Sequence, residues 1–596
     1  MRSLTLRSVL ALAMVLIAGA VPAWAAGLVQ PQTLINIEAA EAAGTIDADA
    51  AALEKVHFLF APEKVDPAFL VRGDMPLKSA TMLIHTIMND EAVSGGTKAV
   101  LQGYLDAPFE SRNTFVSPSG HFNLTYYTTG GNAVPATDSD SDGTPDFVEW
   151  CADYLDYSWA QEVDYAGFQQ PGLIGGYYQV SFENMSSYGY TQVTSGTTRI
   201  VLHCNFYGFP PNDDPEGDQK GAAKVTCAHE FKHATQYSTS HWTEGNWVEV
   251  DAVWAEEWVY PVVNDYHNYL SLINTPLRSP EKSLDYNDAM SFYGKAIWEM
   301  YMSQNHGGHE IIVDFWEYRR THTSMPVVAS YNVVLMDWGS SWGQGFSEFT
   351  QWNWLTGWKA EPGFSYDDAP DMYPSILYKN NNYLPSGPQT VTVDHLATRL
   401  IRAYNIAGES LHPKIIFDGT DNLEWHCMVI IKLLNGTTVL DEVPLAGPDY
   451  SGEKTYQYPF SEIDEIGLCT TNSAWSGYGA TATYEFQNAQ YGGTGVDEIP
   501  GYGAMRLDPV FPNPFNPKAT IRFELGAEAP VHLTVLAPSG RALRHLISGE
   551  IRGAGEHAVS FDGRDDAGQP LPSGVYFAKL NLGGSESQLV KMTLLK

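Results

Sequence analysis

The chain of 596 residues is too long for one hydrophobic core and implies three or four domains. Hydrophobic residues at 44% and aromatic residues at 12% exclude a largely disordered protein. A formal net charge of -36 disfavours nucleic acid and anionic membrane surfaces, whose charge such a field repels, and favours cations.

At the N-terminus Arg2 and Arg7 precede the apolar run VLALAMVLIAGAV, and Ala23-Trp24-Ala25 stands before Ala26. This order predicts a secretory signal peptide over residues 1–25 with an A-x-A cleavage site. An uncleaved anchor is the alternative, for which the run is short. No later segment is long and apolar enough to span a bilayer, so a secreted or cell-surface protein with no transmembrane segment in the mature chain is expected. Residues 26–105 carry helix-compatible stretches such as IEAAEAAGTIDADAAALEKVHFLF. They are either a pro-region that covers an active site until cleaved or a permanent accessory segment.

Residues 106–375 read as one α+β domain: alternating strands as in HFNLTYYTTGG, then helical patterns from Asp146 to about Tyr373. Within it, DSDSDGTPDFVE at residues 138–149 matches the twelve-residue EF-hand loop. Asp138, Asp140, Asp142 and Glu149 offer carboxylates to Ca2+, Thr144 its backbone carbonyl, and Asp146 a direct or water-mediated contact, while Gly143 permits the sharp turn. FVEWCADYLDYSW supplies an exit helix; the preceding VPAT is no entering helix, so a structural calcium loop is expected rather than a paired sensor. The other reading is a solvated acidic loop.

The stretch CAHEFKHATQY at residues 227–237 places His229 and His233 one helical turn apart with Glu230 between them. If helical, both imidazoles face one ion with a carboxylate beside them, the arrangement of an HExxH zinc hydrolase. Incidental histidines on a surface helix are the competing reading. Downstream, NWVEVDAVWAEEWVY repeats Trp247, Val250, Trp254 and Trp258 near helical spacing, which predicts a second helix able to bring an acid to the metal.

On these residues the chain resembles gluzincin metallopeptidases, whose second helix carries E-G-x-A-x-x-x-E with the first glutamate as third zinc ligand. The matching stretch is Glu249-Val250-Asp251-Ala252, followed by Glu256. Val250 stands where the family has glycine and the interval from His233 is short, so Glu256 stays an alternative ligand to Glu249; Glu244 is too close to His233. The segment SFYGKAIWEMYMSQNHGG is similar to the Tyr-x-Lys-Gly segment of the aminopeptidase branch, with Ala296 in place of the glycine. The resemblance implies that Tyr293 stabilises an oxyanion; a core aromatic is the alternative. From HFNLTYYTT through WNWLTGW the chain also resembles a little-characterised family of secreted bacterial metallopeptidases with a myxobacterial member.

Residues 376–495 show strand runs such as QTVTVDHL, PKIIFDG, CMVIIKLL and ATATYEF between Gly, Asn and Pro turns, which predicts a β-sandwich. Its Cys427 and Cys469 could bridge after export, for which the sequence gives no geometry; the five cysteines form no CxxC pair, which argues against a zinc-thiolate site. A Gly-rich linker at 496–504 leads to a last all-β unit, residues 505–596, with turns at PSG and DDAG. That unit resembles the C-terminal sorting domains of type IX secretion and the related flagellar-hook-capping sandwich, which implies contact with secretion machinery.

The expected architecture is therefore multidomain, an α+β zincin-like catalytic domain followed by two all-β sandwich domains. The expected activity is zinc-dependent endopeptidase action on a protein or peptide, with Zn2+ on His229, His233 and Glu249, and Glu230 and Tyr293 catalytic. A surface binding protein or adhesin with a structural or degenerate metal site is the alternative.

Overall fold

The computed structural model describes residues 31–107, 113–288, 290–361, 365–372, 380–382, 385–404, 411–491, 505–507, 510, 513, 515–526, 529–537, 542–565, 568–572, 574–581 and 587–594. The expected signal peptide and the 496–504 linker lie outside the described residues. The N-terminal segment is helical: α1 (Gln32–Ala42), α2 (Ala48–Phe60), α3 (Thr81–Asn89) and α4 (Gly95–Asp106). Side-chain caps start two of them, Asp47 accepting from the Ala50 N–H and Ser94 from the Thr97 N–H.

A five-stranded sheet follows, built from β1 (Asn113–Val116), β2 (Phe122–Tyr126), β3 (Tyr178–Glu183), β4 (Gly189–Thr194) and β5 (Thr197–His203), with α5 (Asp146–Trp159) inserted after β2. The spatial order is β1-β2-β3-β5-β4, with β2, β3 and β5 parallel and β4 antiparallel on the outer edge. Residues 178–203, where the sequence predicts helix, form three strands instead. Their runs YYQVSF and TTRIVLH are rich in aromatic and β-branched residues and are buried on both faces, which hides the period-2 signal.

Helix α6 (Asp218–Ser240) lies on this sheet; Cys227 and Phe231 share a core with Phe122, Val180 and Leu202 and with Phe147 and Leu155 of α5. Gly189 makes the fit possible, since a Cβ there would come within 3.0 Å of the Glu230 Cγ and 2.9 Å of the Thr226 methyl. Helix α7 (Trp247–Val259) follows after a turn in which His241 and Trp242 both adopt left-handed backbone, with φ of 57° and 58°. Then come α8 (Ser291–Gly294), α9 (Ile297–Met302), α10 (Glu310–Thr321), α11 (Val327–Asp337) and α12 (Trp342–Trp354). The N-terminal helices are not a separate body: Leu34, Ile37, Val56, Leu59, Ile84 and Leu101 share one core with Val250 and Val253 of α7 and with Trp298 of α9.

The next unit contains β6 (Asn380–Asn382), β7 (Gln389–Val393), β8 (Ala397–Ala403), β9 (His412–Gly419), β10 (Trp425–Leu433), β11 (Thr438–Val443), β12 (Ser451–Thr455), β13 (Ile463–Asn472) and β14 (Ala480–Ala489). Two sheets, ordered β11-β10-β13-β8-β6 and β12-β9-β14-β7, enclose a core that includes Ile415, Phe417, Val429 and Phe486. The bridge that Cys427 and Cys469 could form is not made. In the β10/β13 register Cys469 faces Met428, one residue from Cys427, so the two thiols point to opposite faces and both are free.

The last unit, β15 (Met505–Leu507), β16 (Ala519–Leu525), β17 (Ala529–Leu536), β18 (Ala542–Arg552), β19 (Gly555–Phe561), β20 (Gly574–Asn581) and β21 (Ser587–Leu594), forms a second pair of antiparallel sheets. The chain is thus multidomain, a mixed α+β region followed by β-sandwich domains. Among the described residues no helix is long and apolar enough to cross a membrane.

Candidate metal centre

In α6 the two histidines fall on one face, as their spacing requires, and are buried to within 1% of full cover. Glu249, in the first turn of α7, meets them: its Oε2 lies 3.0 Å from His229 Nε2 and 3.4 Å from His233 Nε2. The turn between the helices is tied back by the Trp242 indole N–H, which donates to the His233 carbonyl at 2.9 Å. The remaining ring nitrogens are fixed from behind. His229 Nδ1 is 2.6 Å from Glu256 Oε1, and His233 Nδ1 is 2.8 Å from Gln236 Oε1. Gln236 in turn donates to Asp251 at 2.6 Å and to the Val248 carbonyl at 2.9 Å.

These outer contacts place the Nδ1 protons and leave both Nε2 atoms pointing inward. Of the two acids left open by the sequence, Glu249 joins the convergent cluster and Glu256 lies behind it. His229 Nε2, His233 Nε2 and a Glu249 oxygen lie within 4.8 Å of one another, and His233 Nε2 is buried with no hydrogen-bond partner. Two imidazoles and one carboxylate fit the donor set of a zinc hydrolase. Burial opposes a charged ring at His229, yet its contacts with Glu249 and Glu256 outweigh that and push its pKa up to about 10. Burial likewise opposes the Glu249 carboxylate, but His233 and His229 hold its pKa down to about 2. Without a cation, a proton on His229 supplies the positive charge that this pocket requires.

Glu230 presents one oxygen to the protein: Oε2 accepts from the Thr81 hydroxyl at 2.9 Å and the Thr191 hydroxyl at 2.8 Å. Its Oε1 is buried with no partner. Next to Tyr293, Gly294 packs so closely that a Cβ there would meet the Tyr269 carbonyl at 2.6 Å. The Tyr293 ring lies 6.3 Å from that of His229, and its hydroxyl donates to the Ser79 carbonyl at 3.0 Å. Glu244 is not near the imidazoles; it pairs with the buried Arg319 at 2.6 Å. Beside the centre is a cavity of about 400 Å³, bounded by Thr81, Ile84, Met88, Thr191, Tyr237 and Trp242.

The acidic loop brings Asp138, Asp140 and Asp142 within 4.8 Å of one another, with Gly143 at φ 97° and Ser141 at φ 63°. Backbone amides hold the carboxylates, Gly143 N–H donating to Asp138 and Thr144 N–H to Asp142. Asp146 turns instead to Ser139, accepting its N–H at 2.7 Å and its hydroxyl at 2.6 Å. Glu149 is half-buried, and burial, then the nearby aspartates, raise its pKa.

The sequence reading missed Lys78, Thr81, Thr191 and Gln236. Gln236 was findable, three residues after His233 on the same helix; the other three arrive from chain segments that carry no local motif.

No protein-family model matches this sequence, and no curated protein matches it. Solved structures overlap it in part. One is PorZ, an essential bacterial surface component of the type-IX secretion system of Porphyromonas gingivalis, at 23% identity over 19% of this chain and 14% of that one, with a TM-score of 0.12. Another is dimeric latent PorU of Porphyromonas gingivalis, at 14% identity over 36% and 19%, with a TM-score of 0.15. A β-1,2-glucanase from Parabacteroides distasonis is 9% identical over 33% and 30%, with a TM-score of 0.13. The chain spans less than a fifth of the length of the first two, and these partial likenesses assign no activity.

Proposed function

We propose that this chain is an exported zinc-dependent endopeptidase with a zincin-like catalytic domain. The observation that carries the reading is the buried His233 Nε2, which makes no hydrogen bond and converges with His229 Nε2 and Glu249 beside the unbonded Oε1 of Glu230. Zinc held there by His229, His233 and Glu249 would supply Lewis acidity and lower the pKa of a water toward ~7. Glu230, steadied through Oε2 by Thr191, accepts the water proton on Oε1 and delivers it to the leaving amine. Tyr293 donates its hydroxyl to the carbonyl oxygen as charge develops there; burial raises its pKa well above the usual value and keeps the proton in place. Glu256 and Gln236 hold the two imidazoles in the tautomer that leaves Nε2 bare.

The loop at residues 138–149 is read as a structural calcium loop, on the three clustered carboxylates. The C-terminal sandwich is read as a type IX sorting domain and the protein as secreted or surface-held. Metal content and peptide-library cleavage test the main assignment: Glu230→Gln keeps zinc and loses turnover, and His233→Ala loses both. Proteolysis retained by either variant refutes it.

One observation favours a second reading, a surface binding protein with a closed structural metal site: His229, His233 and Glu249 are each 1% exposed or less. Under that reading wild-type protein carries zinc and cleaves no peptide in any state.

A further inference from the structure

We propose that residues 77–81 are an internal strap that shuts the candidate metal centre, so that the chain folds into a latent form. The consequence rests on the peptidase reading; the geometry does not. Between α2 and α3 the chain runs beside residues 186–191, at the outer edge of the sheet next to α6. Leu77 N–H donates to the Ser186 carbonyl at 2.9 Å, Tyr188 N–H to the Leu77 carbonyl at 2.9 Å, and Ala80 N–H to the Gly189 carbonyl at 3.0 Å. Thr191 N–H donates to the Thr81 hydroxyl at 2.8 Å. The backbone hydrogen bonds that an extended polypeptide would make along this edge are therefore already made by the chain itself.

The polar groups of the strap go to the working residues. The Ser79 carbonyl takes the Tyr293 hydroxyl, which places a peptide carbonyl where the oxyanion donor acts. The Thr81 hydroxyl donates to Glu230, the group read as the base. The Lys78 ammonium lies 2.8 Å from Glu256, the acid behind His229, and also contacts Asp265. A stretch serving only as core would turn apolar atoms inward. Here a lysine, a serine and a threonine each engage a different part of the site, and residues 77–81 are all 2% exposed or less. A substrate amide must present its carbonyl to Tyr293 and lie near Glu230; both positions are taken.

The strap leads out, on its N-terminal side, to an exposed bend at Val71, Arg72 and Gly73, where Gly73 has φ 71°. Movement of residues 77–81 away from β4 would free Glu230, Tyr293 and Glu256, the acid that holds His229, together.

The test uses the full-length, zinc-loaded protein and two variants: Ala80→Pro, which removes the N–H bonded to Gly189, and Thr81→Val, which removes the hydroxyl on Glu230. Two rates are read, loss of zinc to dipicolinate and cleavage of a quenched peptide library. The strap predicts zinc loss at least 10-fold faster in Ala80→Pro and at least 3-fold faster in Thr81→Val, with cleavage rising in the same order. Should Ala80→Pro fail to fold, Thr81→Val decides at its own threshold. Zinc loss below these thresholds, or wild-type cleavage as fast as that of the variants, overturns the strap. Faster zinc loss with no cleavage by any of the three upholds the strap and sinks the peptidase reading.

Discussion

In the helix pair, Glu249 and Glu256 are buried and each has a cationic or protonated partner, His229 for the first and both His229 and Lys78 for the second. In the loop at residues 138–149, Asp140 and Asp142 are exposed and are held by backbone amides of the same turn. The first arrangement gathers its groups from three chain segments, and the second from one. The first therefore depends on the fold being complete, whereas the second carries its geometry in a dozen consecutive residues.

The difference is broken most severely by removing a partner from the buried set. Lys78 keeps its charge because Asp265 and Glu256 outweigh the burial that opposes it, raising its pKa. Lys78→Met would leave the buried Asp265 without a cation and Glu256 with His229 alone, and cost about 3–5 kcal/mol. Urea unfolding of the zinc-free protein measures this, and a loss under 1 kcal/mol would mean that the pair is solvated after all.

Glu183, at the end of β3, shows what burial does to an acid that pairs with no cation among the described residues. Its pKa is pushed up to about 8, with only the Tyr190 hydroxyl, at 3.2 Å, working against the shift. Between its usual value of 4.5 and about 8 the folded chain keeps a proton that the unfolded chain has lost. The stability supplied by the neutral carboxyl is thus complete below 4.5, falls as pH rises, and is gone above about 8. Glu183→Gln removes this slope, gaining roughly 3–5 kcal/mol over wild type above pH 8 and nothing at pH 4. Paired denaturation curves across that range check it; a gain that ignores pH would assign the effect to packing.

A smaller effect separates the two acids of α7. Glu256→Gln still offers an oxygen to His229 Nδ1, so zinc affinity should fall only about 10–100-fold. Glu249→Gln should fall further, having lost a charge in the cluster itself. Isothermal titration ranks them, and the reverse order would exchange their roles.

How much of this could be read from the chain follows the same division. The loop was legible because its carboxylates and Gly143 sit at fixed offsets within one turn. His229, Glu230 and His233 were legible for a similar reason, and Trp247, Val250 and Trp254 marked the second helix by apolar period. The choice between Glu249 and Glu256 was not legible, since one helical face offers both and only the imidazole orientation separates them. The strands at 178–203 were hidden by two-sided burial. Lys78 and Thr81 were hidden by distance: they meet Glu256 and Glu230 across 178 and 149 positions, and only the folded core brings them together.

The smallest predicted effect is also the one that tests the contrast most directly, because it should change sign. Without a divalent ion, Asp138, Asp140 and Asp142 crowd one another and raise the pKa of Glu149, so Asp140→Asn should lift the melting temperature by on the order of 1 °C. In millimolar calcium the same substitution removes one of the negative charges that hold the ion and should lower it. Lys78→Met should respond to calcium in neither direction, since its partners lie in the buried set. If Asp140→Asn shifts the melting temperature the same way in both conditions, the loop binds no calcium; its acids are then a solvated turn, and the contrast with the helix pair becomes one of burial alone.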